Sequence, residues 1–282
     1  MPCMATSAYG SAVEATEIFR TFKEGDPDLV DLGLGPVTRE IGGVFAGNLV
    51  GIAAGQNVGK SSTLLFMATT SKDRGGVISM EDGKDVWGAR LLARYSNVPP
   101  TKIRKKELSE EDKDRITEAL GDLKAAEAEG KGPWISYKVG GSVEDIEDAV
   151  KELAEAGCRW IALDYLQKPR GHAGAADRRV EVGVTMNHFH KACADVGVVP
   201  IIMSQIVRLK DGQEPFPSHM KESGDIENEC RLIIMLWRDS SDRSIVRGKV
   251  AKSSFGGGGL RFAFRYTEAE YLVELADEEE DF

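Results

Sequence analysis

The sequence predicts an α/β fold with a mainly parallel central sheet, flanking helices and antiparallel edge strands near the C-terminus. From residue 48 onward, short apolar runs alternate with stretches whose apolar residues recur at helical spacing. This alternation is typical of parallel strands joined by helical crossovers. A glycine-bearing loop joins the first apolar run to the first helix. The last three apolar runs follow one another with no helix between them, which predicts an antiparallel meander at one edge of the sheet.

The first part of this pattern gives two strand–helix units. The runs LVGIAA at 49–54 and GGVISM at 75–80 are short and almost entirely apolar, which predicts two buried strands. Each run is followed by a segment with helical patterning, at 61–70 and at 84–95. The glycine-bearing loop between the first strand and the first helix is the most unusual feature of this part of the chain.

Two capping boxes mark further helices. Ser109 begins Ser-Glu-Glu-Asp, and behind it Ile116, Leu120 and Leu123 recur at helical spacing. Ser142 begins Ser-Val-Glu-Asp in the same way. In such a box the serine hydroxyl and the acidic side chain three residues later satisfy backbone N–H groups at the start of a helix. Each serine therefore predicts a helix N-terminus.

The remaining elements complete the domain. We expect a helix over 178–196, and six more strands are predicted at RWIALDYL, VVPIIMSQ, RLIIMLWR, IVRGKVAK, LRFAFRY and YLVEL. Near the N-terminus, 11–24 has the spacing of a short amphipathic helix that stands apart from the core. We therefore divide the chain into an N-terminal arm with a linker helix at 1–30, one α/β domain at 31–273 and an acidic tail at 274–282.

Composition bears mainly on location. The chain has 282 residues, of which 41% are hydrophobic, enough for one large domain with its own core. No apolar run approaches the roughly 18 residues that span a bilayer, and the N-terminus lacks the pattern of a signal peptide. The cysteines have no metal-ligand spacing and are Cys3, Cys158, Cys193 and Cys230. We expect a soluble cytoplasmic protein with reduced thiols and no membrane contact.

The stretch AAGQNVGKSS predicts a nucleotide-binding loop. Ala54-x-x-x-x-Gly59-Lys60-Ser61 fits the P-loop pattern in its Ala-first form. Backbone N–H groups of such a loop wrap phosphates at the positive end of the helix that follows. In this pattern Lys60 reaches the β- and γ-phosphates, and the Ser61 hydroxyl binds Mg²⁺. The predicted nucleotide-binding residues are Ala54, Gly55, Gln56, Asn57, Val58, Gly59, Lys60, Ser61 and Ser62.

Three polar residues stand at the ends of three predicted strands. Asp164 ends the run WIAL, Glu81 follows VISM and Gln205 follows IIMS. Strands of such a sheet point their carboxyl ends at the ligand crevice. Hydrolysis of a nucleoside triphosphate needs a carboxylate for Mg²⁺, a base that orients water and a group that contacts the γ-phosphate. Each residue alone is an ordinary polar strand end, but three of them behind a phosphate loop favour a catalytic set.

Eight longer blocks follow one another along the chain: GNLVGIAAGQNVGKSS, VISME, GARLLARYS, IRKKELSEEDKDRITEAL, WIALDYLQ, RRVEV, VVPIIMSQIVR and KESGDIENECRLIIMLWR. In this order and spacing they resemble the RecA-type motor domain of the DnaB family of replicative DNA helicases. The similarity covers roughly residues 32–265. It implies a RecA-like P-loop NTPase core that uses ATP and Mg²⁺. The implied roles place Lys60 and Ser61 on phosphate and Mg²⁺, Asp164 on Mg²⁺, Glu81 as general base and Gln205 as sensor of the γ-phosphate.

The resemblance also implies an assembly and an activity. Members of the family form hexameric rings that bind ATP between subunits and pass single-stranded DNA through the centre. This chain is accordingly expected to be an ATP-dependent helicase or translocase that acts in DNA replication and moves 5′ to 3′. Two alternatives stay open: a RecA-like recombinase, which the DYLQ and ESG blocks disfavour, and a nucleotide-switched loader of DNA or helicase with weak hydrolysis.

Two basic loops, QKPRGHAGAADRR at 167–179 and IVRLKDGQEPFPSHMKESGD at 206–225, are the candidate DNA contacts. The formal net charge is −10, which argues against a broadly basic surface but allows a basic channel in an acidic body. The loops are rich in Gly, Pro and basic residues, as suits backbone tracking without sequence preference. The resemblance implies phosphate contacts at Lys221, which replaces the family's arginine, and at the backbone near Glu222 and Gly224. The other predicted contacts are Lys168, Arg170, Arg178, Arg208 and Lys210.

The sequence departs from the family at one functional position. The family carries Lys-x-Arg on a late strand, and the arginine reaches the γ-phosphate of the neighbouring subunit. Here Lys252 matches the lysine, but Ser254 stands where the arginine belongs. An arginine of this kind contributes about 10³–10⁵ in rate. Three explanations stay open: Lys252 suffices, which we favour; Arg247 or Arg243 replaces the arginine; or the chain binds ATP and hydrolyses it poorly.

Both ends of the chain have two interpretations. The helix over 11–24 can dock on the next subunit or fold back on its own domain. The tail ELADEEEDF holds six carboxylates and ends in Phe282. Such a tail is either a solvated end or, as in some phage replication proteins that it resembles, a docking segment for a polymerase or another replisome protein.

Overall fold

The computed structural model describes residues 29–167, 178–221 and 223–275. Several predicted features lie outside these residues: the helix over 11–24, Lys168, Arg170, Glu222 and the acidic tail beyond residue 275. The side chain of Arg178 also lies outside the description, although the backbone of this residue begins a helix.

The described residues form eleven strands and eight α-helices. The strands are β1 (Leu29–Val30), β2 (Val44–Phe45), β3 (Val50–Ala54), β4 (Gly75–Ser79), β5 (Trp134–Tyr137), β6 (Trp160–Asp164), β7 (Val199–Gln205), β8 (Leu232–Arg238), β9 (Ile245–Ser253), β10 (Arg261–Tyr266) and β11 (Leu272–Glu274). The helices are α1 (Gly35–Ile41), α2 (Lys60–Thr70), α3 (Lys84–Ser96), α4 (Pro100–Lys105), α5 (Glu110–Ala128), α6 (Val143–Glu155), α7 (Arg178–Asp195) and α8 (Ser223–Glu229). Every predicted strand is present, and its ends differ from the prediction by at most two residues.

The nine-stranded central sheet confirms the predicted fold class. Its order is β11-β10-β9-β8-β3-β7-β6-β4-β5. All neighbours from β8 to β5 are parallel, and the pairs β8–β9, β9–β10 and β10–β11 are antiparallel. The sequence-based prediction did not include edge strand β5, helices α1 and α4, or the small antiparallel pair β1–β2. The last strand extends through Glu274, which forms an ion pair with Arg39.

Helices cover both faces of the parallel part of the sheet. Successive residues of β6 therefore belong to different core layers: Trp160 lies in the layer with α2, and Ile161 lies in the layer with α6 and α7. A strand buried on both faces reads as a continuous apolar run, which is why these strands were visible in the sequence. Among the described residues, no helix combines the length and apolar character needed to cross a membrane.

Both predicted capping boxes are formed. The Ser109 hydroxyl accepts a hydrogen bond from the Asp112 N–H at 3.1 Å, and the Asp112 carboxylate accepts one from the Ser109 N–H at 3.2 Å. Ser142 and Asp145 repeat this arrangement at the start of α6. The prediction that Leu120 belongs to a buried apolar side of α5 is wrong, because this side chain is 44% exposed. Helix α5 packs against α3 rather than on the sheet, so it buries Ala119 and leaves Leu120 at the surface.

A close approach between β4 and β6 yields a stability test. Gly75 pairs with Trp160, and a Cβ at Gly75 would lie 2.1 Å from Cζ2 of the fully buried indole. We expect Gly75→Ala to lower the free energy of unfolding by about 1–3 kcal/mol because the packed layer must shift. Gly121→Ala, in exposed α5 with open space around the site, should instead raise it by about 0.5–1 kcal/mol. Urea denaturation measures both changes, and equal effects would contradict the packing argument.

Candidate functional site

The loop between β3 and α2 has the shape of an anion site. Gly59 is the N-cap of α2 and has φ of 122°, a backbone conformation that favours glycine. A Cβ at Gly59 would also lie 2.1 Å from the hydroxyl of Tyr266. The first N–H groups of α2 have no acceptor within the helix. Together with the positive end of the helix dipole, they can bind a phosphate group.

Lys60 and Ser61 begin α2 and face a buried carboxylate. The Ser61 hydroxyl donates a 2.7 Å hydrogen bond to Oδ2 of Asp164, which ends β6 and is 3% exposed. Burial raises the pKa of Asp164 to about 6, against the hydrogen bond from Ser61 and the charge of Lys60. Burial also lowers the pKa of Lys60, and the nearby carboxylates of Asp164 and Glu81 oppose this shift. The Lys60 ammonium donates a 3.4 Å hydrogen bond to the Gly55 carbonyl.

A buried network holds the turn that carries Glu81. The Met80 N–H donates to the Asp164 carbonyl at 2.8 Å. The Ser79 hydroxyl accepts from the Trp87 indole at 2.9 Å and donates to the Asp82 carbonyl at 2.8 Å. These bonds attach both sides of the turn to β6 and α3, so the Glu81 side chain starts from a fixed point at the cleft.

The structure brings most of the predicted nucleotide-binding residues and three of the predicted catalytic residues, Lys60, Glu81 and Gln205, to one cleft, which the fourth, Lys252, does not line. This cleft has a volume of about 400 Å³ and is lined by Gln56, Asn57, Gly59, Lys60, Ser61, Ser62, Glu81, Asp164 and Gln205 from the predicted set. The sequence-based prediction missed four other lining residues: Asp82, Arg90, Tyr165 and Tyr266. Arg90 forms a 2.6 Å ion pair with Asp82. The GARLLARYS block contains Arg90 and was the one available signal for it.

Tyr266 and Arg238 form a stacked pair at the edge of this cleft. The Arg238 guanidinium lies 4.3 Å from the centroid of the Tyr266 ring. Arg238 also donates to the Asn57 carbonyl at 3.4 Å and to the Arg243 carbonyl at 2.8 Å. An aromatic ring and a guanidinium plane are both surfaces on which a nucleobase can stack. Tyr266 and Arg238 come together because β9 pairs with β8 and β10 pairs with β9, both antiparallel. A local sequence pattern does not reveal this pairing.

A second, basic cleft of about 660 Å³ adjoins the first. The two clefts share Gln56, Asn57 and Gln205. The cationic residues of the basic cleft are Arg208, Lys210, Lys221, Arg238 and Arg243, against one acid, Asp211. Three predicted DNA contacts, Arg208, Lys210 and Lys221, therefore line the same cleft. Gly224, another predicted contact, lies in the first turn of α8.

The loop over 206–221 is closed at its base. Ile206 forms a bridge with Met220, and the Val207 N–H donates to the His219 carbonyl at 2.8 Å. The Lys221 N–H donates to the Gln205 carbonyl at 2.9 Å. The predicted DNA-contacting lysine and the predicted sensor of the γ-phosphate are thus joined through their backbones.

The cations predicted to act on a neighbouring subunit lie in different places. Lys252 pairs with Ile233 near the start of β8, whereas Ala54, which precedes the phosphate loop, pairs with Leu236 near the other end. Lys252 donates to the Glu227 carbonyl at 2.6 Å, at the end of α8. Arg247 forms an ion pair with buried Asp239. Arg243 donates to both carboxylate oxygens of Asp211, at 2.6 and 2.5 Å.

Comparison with known proteins identifies relatives over most of the chain. A family model described as "DnaB-like helicase C terminal domain" matches residues 30–256. "Replicative DNA helicase DnaC" of Bacillus subtilis (strain 168) is 27% identical over 274 residues, which cover 91% of this chain and 59% of the relative. "Replicative DNA helicase DnaB" of Geobacillus stearothermophilus is 26% identical with the same coverage. The chain therefore spans about three fifths of the length of these curated relatives.

Two solved structures have the same fold. One, described as an ATPase domain, superposes with a TM-score of 0.80 and 24% identity, covering 95% of this chain and all of that one. The other, described as "The Structure Of A DnaB-Like Replicative Helicase And Its Interactions With Primase", has a TM-score of 0.78 and 24% identity. It covers 95% of this chain and 68% of that one. Both likenesses concern the fold.

The buried carboxylate predicts a pH-dependent stability difference. A carboxyl whose pKa is raised in the folded state stabilises that state below its unfolded pKa of about 3.9 and loses this contribution as pH rises through about 6. Asn cannot ionise and keeps an acceptor for Ser61. The stability of Asp164→Asn relative to wild type should therefore increase by about 2 kcal/mol between pH 4.5 and pH 7.5 without nucleotide. Urea denaturation at the two pH values measures it; a pH-independent difference would contradict the assignment.

Proposed function

This chain belongs to the family of DnaB-like helicase C-terminal domains, and on this premise we propose that it is an ATP-driven DNA translocase or helicase. In this proposal it acts in DNA replication as a ring of identical subunits around single-stranded DNA. The observation that carries the proposal is the meeting of two clefts at Gln205: one holds the phosphate loop and its carboxylates, and the other is basic.

The first cleft suits the triphosphate of ATP and a magnesium ion. The donor set fits this ion, because the Ser61 hydroxyl and the Asp164 carboxylate are hard oxygen ligands placed 2.7 Å apart. A bound Mg²⁺ neutralises charge on the β- and γ-phosphates. Lys60 lies beside this pair, and its ammonium compensates phosphate charge in a partly desolvated setting. The hydrogen bond between Ser61 and Asp164 holds both ligands ready for the ion.

Glu81 is the base in the proposed hydrolysis. The water oxygen forms a bond to the γ-phosphorus, and the bond from this phosphorus to the bridging oxygen breaks with its electron pair remaining on the β-phosphate of the leaving ADP. Glu81 accepts the proton of the water, and inorganic phosphate is the other product. The network of Ser79 and Trp87 fixes the turn that carries Glu81, so the backbone from which this carboxylate projects is in place before the nucleotide binds. Gln205 lies across the same cleft and can hydrogen-bond to a γ-phosphate oxygen through its side-chain amide.

Tyr266 and Arg238 bind the base in this proposal. Both lie beside the phosphate loop: Tyr266 lines the first cleft, and Arg238 donates to the Asn57 carbonyl. A purine ring stacks on Tyr266 or enters between the tyrosine ring and the guanidinium. Stacking on these surfaces contributes affinity with little discrimination among bases, because every base has a π-face.

The basic cleft is the proposed route from hydrolysis to movement. Lys221 and Arg208 lie on the loop that begins directly after Gln205. A change in the contact between Gln205 and the γ-phosphate therefore acts on Lys221 through one backbone hydrogen bond. Single-stranded DNA held by its phosphates moves when this loop moves. Contacts of this kind carry no base-edge readout, so the binding has no sequence preference.

We also propose the finer features of the assembly. Six subunits form the ring in the cytoplasm, the arm at 1–30 joins neighbouring subunits, and the acidic tail after β11 binds a basic replisome protein such as a polymerase. The lysine and arginine contacts at Lys168, Arg170 and Arg178 complete the DNA path. These features rest on the resemblance in sequence and on charge.

A nucleotide-switched loader is the second candidate. Ser254 favours it because the family's arginine is absent there, and Lys252 is bound to α8 of its own subunit. A pure switch needs no base that positions water, so Glu81 in the cleft favours the motor. Turnover measurements separate the two, because a loader binds ATP tightly and hydrolyses it slowly at every protein concentration.

DNA-stimulated ATP hydrolysis is the direct test of the motor. Turnover per subunit should rise with protein concentration as rings form, and single-stranded DNA should stimulate it. Lys221→Ala should remove most of the stimulation because it deletes a phosphate contact, whereas Lys124→Ala, on exposed α5, should behave as wild type. DNA affinity measured by anisotropy should fall steeply with salt. Tight ATP binding with negligible turnover at all concentrations would contradict the motor and support the loader.

Tyr266 offers a separate test of base binding. Tyr266→Ala should raise the KM for ATP about tenfold, which corresponds to about 1.4 kcal/mol, because the stacking surface is lost. Tyr266→Phe keeps the ring and should stay close to wild type. Steady-state kinetics of both variants measure the difference. An unchanged KM in the alanine variant would place the base elsewhere.

A further inference from the structure

The two ends of β8 carry arginines that face opposite parts of the subunit. Arg238 ends the strand and donates to the Asn57 carbonyl of its own phosphate loop. Arg231 directly precedes the strand, and its side chain is exposed. The two residues lie about 23 Å apart along the strand at about 3.3 Å per residue. Arg231 is therefore remote from the nucleotide cleft of its own subunit.

The backbone of Arg231 is fixed directly beside Ser254. The Ser254 N–H donates to the Arg231 carbonyl at 2.8 Å, and the Arg231 N–H donates to the Leu49 carbonyl at 2.9 Å. These bonds continue the antiparallel ladder in which Leu232 pairs with Ser253. Opposed residues of such a ladder have Cβ atoms about 4.5–5.5 Å apart. A side chain from position 231 can thus reach the same region as one from position 254.

The other candidate cations are already bound within their own subunit. Lys252 donates to the Glu227 carbonyl, Arg247 is paired with Asp239 and Arg243 with Asp211. Arg90 is likewise paired with Asp82 in the cleft. By contrast, the Arg231 guanidinium has neither an ion pair nor a hydrogen bond to any residue in the described parts of the chain.

We propose that Arg231 enters the nucleotide cleft of the neighbouring subunit and contacts the γ-phosphate. This inference rests on the proposed function, because it requires a ring of identical subunits. A closed ring is built from head-to-tail contacts, in which one surface of each subunit meets a different surface of the next. The cleft and Arg231 lie at opposite ends of the same sheet, as such a contact requires.

The charges at the two surfaces are complementary. The cleft holds three acids, Glu81, Asp82 and Asp164, against the cations Lys60 and Arg90, and bound ATP would add the negative charge of its phosphates. Arg231 supplies a guanidinium, which forms two parallel hydrogen bonds to phosphate oxygens. It stabilises negative charge on the γ-phosphate while water attacks and the bridging oxygen leaves, and it exchanges no proton. Ser254 is then tolerated because the arginine has moved from one strand to its hydrogen-bonded neighbour.

Turnover of Arg231 variants tests the assignment. Arg231→Ala should lower DNA-stimulated turnover by about 10³-fold or more, while ATP binding and ring assembly stay near wild type. Arg231→Lys keeps the charge and should recover part of the rate. In the Arg231→Ala background, Ser254→Arg should restore turnover, because it returns a guanidinium to the same region. Arg104→Ala, an exposed arginine of α4, is the matched control and should leave turnover unchanged.

Mixing two inactive variants tests whether Arg231 acts across an interface. Arg231→Ala subunits have an intact cleft, and Glu81→Gln subunits have an intact Arg231. In rings assembled at random from equal amounts of the two variants, roughly a quarter of the interfaces combine an intact cleft with an intact Arg231. Turnover should therefore return. Continued inactivity in rings shown to contain both variants would overturn the assignment, as would an active Arg231→Ala protein. A wild-type chain that neither assembles nor hydrolyses ATP would overturn the proposed function as well.

Discussion

The hydrogen bond from Ser61 to Asp164 is the contact on which the rest of the site depends. It joins the first turn of α2 to the end of β6 across 103 residues of sequence. Asp164 is almost fully buried, and burial opposes its ionised form. The folded protein therefore holds an unfavourable carboxylate at the place where a cation and phosphates would stabilise it. Without a ligand, the protein with a carboxylate at this position is less stable than a variant with an uncharged side chain there. Functional residues commonly lower stability in this way.

The register of the parallel strands gathers the other groups around this contact. Asp164 pairs with Ser79, two residues before Glu81, and Ala54 pairs with Gln205. Because parallel strands end at the same edge, groups that follow different strands meet there. Two cations, Arg231 and Lys252, lie at the opposite end of these strands, where β8 begins. One sheet thus carries the nucleotide cleft at one end of its parallel strands and the cations Arg231 and Lys252 at the other.

The sequence predicted those site residues that directly follow a continuous apolar strand. The phosphate loop, Glu81, Asp164 and Gln205 were found because the strands before them are buried on both faces and read as apolar runs. Edge strand β5 escaped because its residues are exposed or half-buried. Tyr266, Arg238 and Arg231 escaped for another reason: their meaning depends on which strands pair. Before pairing is known, an arginine at a strand end is indistinguishable from an ordinary solvated charge.

The pairing of β8 with β9 also places Lys252 against α8 of its own subunit. Its ammonium lies at the carbonyl end of α8, where a cation interacts favourably with the helix dipole. Helix α8 directly follows the proposed DNA loop, and β9 leads to Ser254 beside Arg231. Lys252 therefore ties the DNA-side helix to the strand pair that carries the proposed interface arginine. In a ring, movement of the DNA loop in one subunit would reach Arg231 along the main chain, because only Cys230 separates the end of α8 from Arg231. The Lys252 ammonium, which donates to the Glu227 and Asn228 carbonyls, would add a second connection between α8 and β9. The lysine of the family's Lys-x-Arg pair can thus serve coupling while a different strand supplies the guanidinium.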